Sequence, residues 1–237
     1  MTLQALTTLI DATWPAKSIV DLDGWKIRNG AGGGNRVSAA SQLTSNAQIE
    51  KAESAMRAFG QTPLFMVRNG EEVLDGALKT AGYKIKDPVT FYTAPTAQIT
   101  TQRPPAVTCF QVWPPLATQV EIWNEGGIDD ARLTIMARAA GPKTTVLGRV
   151  QDRPAGTAFC AIHNGIAMLH AIETRHAFRR QGLGCHMIRA LAFWAQEHNA
   201  HTIALLVTQA NIAANALYTS LGMIPVGGYY YRIYPET

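Results

Sequence analysis

Between Ile166 and Thr208 the chain runs from an apolar strand into a glycine turn, an amphipathic helix and a second apolar strand. This succession restricts the fold more than any other stretch. Met187, Ile188, Leu191, Trp194 and Ala195 recur at helical spacing, which predicts a helix over Leu183–His198 between strands Ile166–Thr174 and His201–Thr208. A strand–helix–strand crossover makes the two strands parallel neighbours, and ligands of such units sit at the strand C-termini. The turn reads Arg179-Arg180-Gln181-Gly182-Leu183-Gly184. Its glycines let backbone approach a bulky anion without a Cβ in the way. The N–H groups and dipole of the following helix attract phosphate, and the arginines add forked donors. Such a turn also occurs in ordinary strand-to-helix connections, so its meaning depends on what surrounds it.

Residues 93–106, Thr-Ala-Pro-Thr-Ala-Gln-Ile-Thr-Thr-Gln-Arg-Pro-Pro-Ala, have no apolar period and predict an extended linker. We expect an N-terminal domain over residues 1–95, a linker over 96–106 and a ligand-binding domain over 107–237. The second domain reads as strand, two helices divided by Gly126-Gly127, three strands, helix, strand, helix and one or two closing strands. Thr62–Tyr83 aligns without gaps with Thr202–Met223 at an offset of 140, matching Thr62 with Thr202, Val67 with Val207 and Gly82 with Gly222. A strand over Arg36–Ser41 and a helix over Gln48–Phe59 are expected to precede it. The first half thus reads as a degenerate copy, although a generic strand–helix unit would give the same pattern. Its stretch Ser41-Gln42-Leu43-Thr44-Ser45-Asn46 has neither glycine nor arginine, so it is expected to buttress the second half without catalysing.

Net charge is +4, and no basic run interleaved with aromatics appears, which argues against nucleic-acid binding. Cys109, Cys160 and Cys185 are distant and odd in number, as in a reducing compartment. No apolar run is long enough to span a membrane. A cytoplasmic protein without a metal site is expected, as a monomer or homodimer.

Ile172–Met223 resembles the acetyl-coenzyme A binding core of the GNAT acetyltransferase superfamily. Arg179–Gly184 fits that family's R/Q-x-x-G-x-G/A loop, with His176 where the family often has proline. Asn211-Ile212-Ala213-Ala214-Asn215-Ala216-Leu217-Tyr218 fits its N-x-x-A-x-x-L-Y helix, and Leu221-Gly222-Met223 its helix stop. The resemblance implies an α/β (α+β) GNAT fold, a mixed central sheet flanked by helices, in tandem form. It implies a transferase moving an acetyl group from acetyl-CoA to a primary amine of a small molecule or peptide. A non-catalytic acyl-CoA-binding sensor or scaffold is the alternative.

On that resemblance, the coenzyme is held at its pyrophosphate by Arg179, Arg180 and the backbone of Gln181, Gly182, Leu183 and Gly184, with Cys185 packed beside it. The backbone of Ile172–Thr174, with Asn211 and Tyr218, takes its pantetheine arm. Tyr218, with a phenol pKa of about 10, suits proton donation to the leaving thiolate. Two bases compete for the amine proton. His170 titrates at roughly 6.5 and stands where arylalkylamine-acetylating relatives carry histidine, but it equally suits a hydrogen-bonded core position. Glu173 is the rival, or else a partner of Arg175 or Arg180. Strict alternation along the strand sends Glu173 to the face opposite His170. Tyr229 and Tyr231 are candidates for the acceptor pocket, with Tyr230 turned away. Glu121, Trp123 and Glu125 lie where the family shapes its acceptor site.

Overall fold

A computed structural model describes residues 3–234. In chain order these form α1 (Leu3–Thr13), β1 (Ser18–Leu22), β2 (Trp25–Asn29), α2 (Asn35–Ser38), β3 (Ser41–Gln42), α3 (Ile49–Ala58), β4 (Leu64–Arg68), α4 (Glu72–Thr80), β5 (Lys84–Pro95) and α5 (Thr96–Ile99). The second half adds β6 (Cys109–Val112), α6 (Ala117–Glu125), α7 (Asp130–Arg138), β7 (Lys143–Val150), β8 (Arg153–His163), β9 (Ile166–Thr174), α8 (Leu183–Glu197), β10 (Thr202–Thr208), α9 (Ile212–Ser220) and β11 (Ile224–Ile233). This is a mixed α/β architecture with helices on both faces of a large sheet.

Eight strands form that sheet in the order β4-β11-β5-β10-β9-β8-β7-β6. β9 and β10 are parallel, as the crossover requires. The two halves are interleaved. β5 of the first half lies between β10 and β11 of the second, and β11 lies between β4 and β5 of the first. Each half therefore completes the other's sheet. The repeat holds residue for residue: α4 and α9 start and stop 140 positions apart, as do the first residues of β5 and β11. The first half's own small sheet, β1-β2-β3, meets β4 through a parallel bridge from Ala40 to Phe65.

Burial explains the layers. Along β8, Ala158, Cys160 and Ile162 point to α8, with Ala167 and Leu169 of β9. Phe159 and Ala161 point to the opposite face, where Trp14, Trp123, Ile135 and Met136 cover them. α1 closes that face over Met168, Ala204, Tyr229 and Tyr231.

Two expectations change here. Arg36–Ser41 is not a strand. Asn35–Ser38 turn helically, with the Ser38 hydroxyl donating to the Gly34 carbonyl at 3.0 Å, and only Ser41–Gln42 pair with β2. Three successive glycines before Asn35 permit that tight path, and Val37 is drawn onto Trp14 and Ile135. The stretch 96–106 also does not begin extended. Thr96–Ile99 form a helical turn with Thr96 and Ile99 buried, Ile99 within the core that α8 covers.

Candidate active site

Pairing between β9 and β10 runs from Ile166/Thr202 to Leu169/Leu205 and then stops. Beyond that point the strands part. On the α8 face of the opening lies a cleft of about 540 Å³, lined by Ile172, Glu173, Thr174, Arg179, Arg180, Gly182, Leu183, Gly184, Cys185 and Asn211. Nearly all the residues expected at the coenzyme thus line one cavity. Gln181 and Tyr218 are not among its lining residues.

The glycine turn has the geometry that phosphate binding needs. Gly182 caps α8 with φ +79°, a left-handed conformation that favours glycine. The first intrahelical donor is the His186 N–H, on the Gly182 carbonyl, so the N–H groups before it face outward. Arg180 is exposed and makes no hydrogen bond or ion pair among the described residues. Gly184 lets α8 approach α9: a Cβ there would lie 3.0 Å from Leu217 Cδ2. The Asn211 side chain accepts from the Ala214 N–H at 3.1 Å and so caps α9, leaving its amide donors for a ligand. These groups fit a coenzyme A pyrophosphate and arm.

Alternation along β9 fails at one residue. Ala171 has φ +51°, and the β8 register jumps there: Phe159 pairs with His170, Thr157 with Glu173. Two residues on β9, Ala171 and Ile172, thus oppose Ala158 alone on β8, a bulge. The expectation that Glu173 faces away from His170 is therefore corrected; both side chains leave the same face of the sheet, the one that Trp14 and α6 cover. The expected pairing of Glu173 also changes. Its Oε1 accepts from Arg179 Nη2 at 3.1 Å and from the Thr174 N–H at 3.0 Å. Arg175 binds Glu125 instead, at 2.8 Å, with Glu121 at 3.8 Å. Gly126 presses so near Glu173 that a Cβ would lie 2.7 Å from its Cγ.

His170 is 3% exposed, stacked on Trp14 with ring centroids 4.9 Å apart. Its Nδ1 lies 3.2 Å from Arg36 Nη1 and its Nε2 3.0 Å from Thr13 Oγ1. Arginine only donates, so Nδ1 accepts and the proton sits on Nε2. Burial, and then the charge of Arg36, hold the imidazole well below its usual pKa of 6.5. Tyr218 is 6% exposed, its ring 5.9 Å from that of Tyr92. Burial pushes its phenol up to about 12. The hydroxyl has no hydrogen bond among the described residues and is not sealed from solvent.

On the other face, a second chamber of about 260 Å³ lies against the opening. Ala171 and Thr208 border it from β9 and β10, and Trp14, Arg36, Tyr229 and Tyr231 enclose it. Tyr230 is absent from this lining and sits in the first half's core, as the alternation of β11 predicts. Trp123 is buried, its indole donating to the Ala171 carbonyl at 2.8 Å. Arg36, Trp14 and Arg132 escape sequence reasoning. The glycine run before Arg36 was the available signal, for a Cβ on Gly33 would collide with Ile135 of α7.

The first half has a cavity of its own, about 380 Å³, lined by Gln42, Thr44, Arg68, Gly70 and Glu71. Glu71 holds the position that Asn211 holds 140 residues later. It ion-pairs with Arg68 and accepts the Arg68 N–H at 2.7 Å. A carboxylate stands where the second half offers an amide.

Among the described residues no helix is long and apolar enough to cross a membrane. Residues 108–223 match the model of the Acetyltransferase (GNAT) family. An uncharacterized N-acetyltransferase of Bacillus subtilis (strain 168), YobR, is 30% identical over 94 residues, 39% of this chain. The match spans 38% of YobR. A solved GCN5-related N-acetyltransferase from Kribbella flavida superposes with TM-score 0.72 at 18% identity, covering 98% of this chain and 95% of that one. A tandem GNAT protein from the clavulanic acid biosynthesis pathway gives TM-score 0.61 at 14% identity, covering 84% and 76%. These structures establish likeness of fold alone. The GNAT family is thus matched by residues 108–223, in the C-terminal half of the chain, and the overall fold is that of GNAT proteins.

Proposed function

We propose that this protein is an acyltransferase that moves the acetyl group of acetyl-CoA onto a primary amine by direct attack. The opening between β9 and β10 carries this reading, because a cleft fit for the coenzyme lies on one face of it and a chamber on the other.

Acetyl-CoA supplies the activated carbonyl. The N–H groups at the start of α8 and the Arg180 guanidinium hold its pyrophosphate. The free edge of β9 over Ile172–Thr174 pairs with the arm as an added strand. The incoming amine must first lose a proton. Glu173 is the base in this reading: Oε1 is occupied by Arg179, and Oε2 remains to accept. Both ring nitrogens of His170 are already engaged. With the ammonium proton on Glu173, the neutral amine forms the N–C bond as the C–S bond breaks, and the second nitrogen proton replaces the one that Tyr218 gives up. The Tyr218 phenol, kept protonated by its raised pKa, gives its proton to the sulfur.

The test is release of free thiol from acetyl-CoA across a panel of amines. Thiol release with Glu173→Gln reduced by at least about 100-fold is expected, the usual weight of one acid–base group. Tight acetyl-CoA binding with no thiol from any amine would leave the sensor reading in its place.

A further inference from the structure

The chamber against the opening joins residues from both halves. Arg36 arrives from the first half on the turn after Gly33-Gly34, Trp14 from the end of α1, and Tyr229 and Tyr231 from the interleaved β11. Its charges are unbalanced. Arg132 has Asp129 at 3.4 Å, and Asp87 accepts from the Asn35 amide at 3.0 Å. Arg36 makes no ion pair among the described residues. Its Nη1 donates to His170, and its Nε is sealed from solvent with no hydrogen-bond partner. A half-buried guanidinium with a sealed, unpaired donor and no carboxylate within ion-pair distance among the described residues is costly. Burial works against its charge, and the hydroxyls of Tyr229 and Tyr231 beside it more than restore it. The chamber thus holds a fixed cation and two phenols, next to the point where β9 and β10 part.

We propose that this chamber receives the acceptor, and that the acceptor is a small amine bearing a carboxylate, such as an α-amino acid, whose carboxylate bonds Arg36. The proposal rests on the acetyl-transfer reading above. A carboxylate matches the planar fork of a guanidinium, and the neighbouring hydroxyls add donors to it. At about 260 Å³ the chamber falls below the usual ligand-pocket range of about 300–1,000 Å³, which suits a small molecule. His170 and Thr13 are positioning residues here. Thr13 donates to the Leu9 carbonyl at 2.7 Å and takes the His170 Nε2–H, which leaves Nδ1 to fix Arg36. The first half thereby supplies the specificity of a site whose coenzyme is held by the second.

The test measures kcat/KM by thiol release for matched pairs: phenylalanine with phenethylamine, tryptophan with tryptamine, glycine with methylamine. At least one carboxylate-bearing member should exceed its partner by tenfold or more. Arg36→Met should erase that preference through KM, and Arg36→Lys should restore part of it. Calorimetric titration of the coenzyme A complex with the N-acetyl derivative of the preferred amino acid should show binding that Arg36→Met weakens at least tenfold. Equal turnover within every pair, or a preference that Arg36→Met leaves intact, overturns the proposal while acetyl transfer stands. Thiol release from no acceptor overturns both.

Discussion

Arg36 and His170, 134 residues apart in sequence, meet at 3.2 Å inside the sheet's covered face. The contact gives the imidazole one permanent protonation state. Because its folded pKa lies well below the unfolded value near 6.5, the unfolded chain binds the extra proton first as pH falls. The neutral histidine therefore contributes stability that is full above pH of about 6.5 and is lost below it, by at most about 1.4 kcal/mol per pH unit. Thermal unfolding followed between pH 8 and 5 should show this decline. His170→Gln, which does not titrate, should flatten it; an unchanged slope in that variant would remove His170 as its source.

Gly126 tests the place of Glu173. Its φ of −84° suits any residue, yet an added Cβ would stand 2.7 Å from the Glu173 Cγ and 2.8 Å from its carboxylate. Gly126→Ala should displace the carboxylate and lower kcat by about tenfold, or about 1.4 kcal/mol in barrier. The melting temperature should hold within a few degrees. Full activity with alanine in place would argue that Glu173 takes no proton.

At the glycine turn, Arg180→Ala and Gly182→Ala should part company. Arg180 is exposed and makes no hydrogen bond or ion pair among the described residues, so its loss should weaken coenzyme A affinity, in a salt-dependent manner, with stability changed by no more than about 0.5 kcal/mol. At Gly182 a Cβ has open space, with His186 Nε2 3.8 Å away, but φ +79° strains any L side chain. That strain costs about 1–2 kcal/mol, so this variant should lose both stability and affinity. Calorimetry paired with thermal melts separates the two.

Coenzyme stoichiometry distinguishes the halves. The Arg68–Glu71 pair lines the first half's cavity, and Glu71 sets a carboxylate at the place where Asn211 would meet the pantetheine arm in the second half. One coenzyme A per chain is expected. Glu71→Gln should leave that number at one and destabilise the protein by about 3 kcal/mol, since Arg68 would lose the partner of a mostly buried charge. Two sites per chain would contradict this reading of the cavity.

Local, contiguous chemistry was legible in the sequence. The turn at Arg179–Gly184, the Asn211–Tyr218 helix and the 140-residue repeat need only neighbouring residues, and the structure gathers most of them around one cleft. The rest depended on choices made between distant segments. Nothing local tells β11 to enter the gap between β4 and β5, since its alternation suits either neighbour. The bulge at Ala171 carries no glycine to announce it, so alternation misplaced Glu173 by one face. Arg36 lies in the half that lacks the phosphate loop, and only tertiary folding brings it to Trp14 and Tyr229.

The interleaving of β5 and β11 also sets an order of events during synthesis. β4 and β5 begin 160 and 140 residues before β11, yet in the sheet they neighbour each other only through it. The slot between them is the width of one strand, and only β11 fills it. Closing that slot is among the most non-local steps the chain makes, and such pairings are slow. The nascent chain is therefore exposed to edge-to-edge association for most of its translation, and a neighbouring copy's β11 is chemically identical to its own. Domain-swapped dimers assembled on crowded polysomes are the by-product this topology invites.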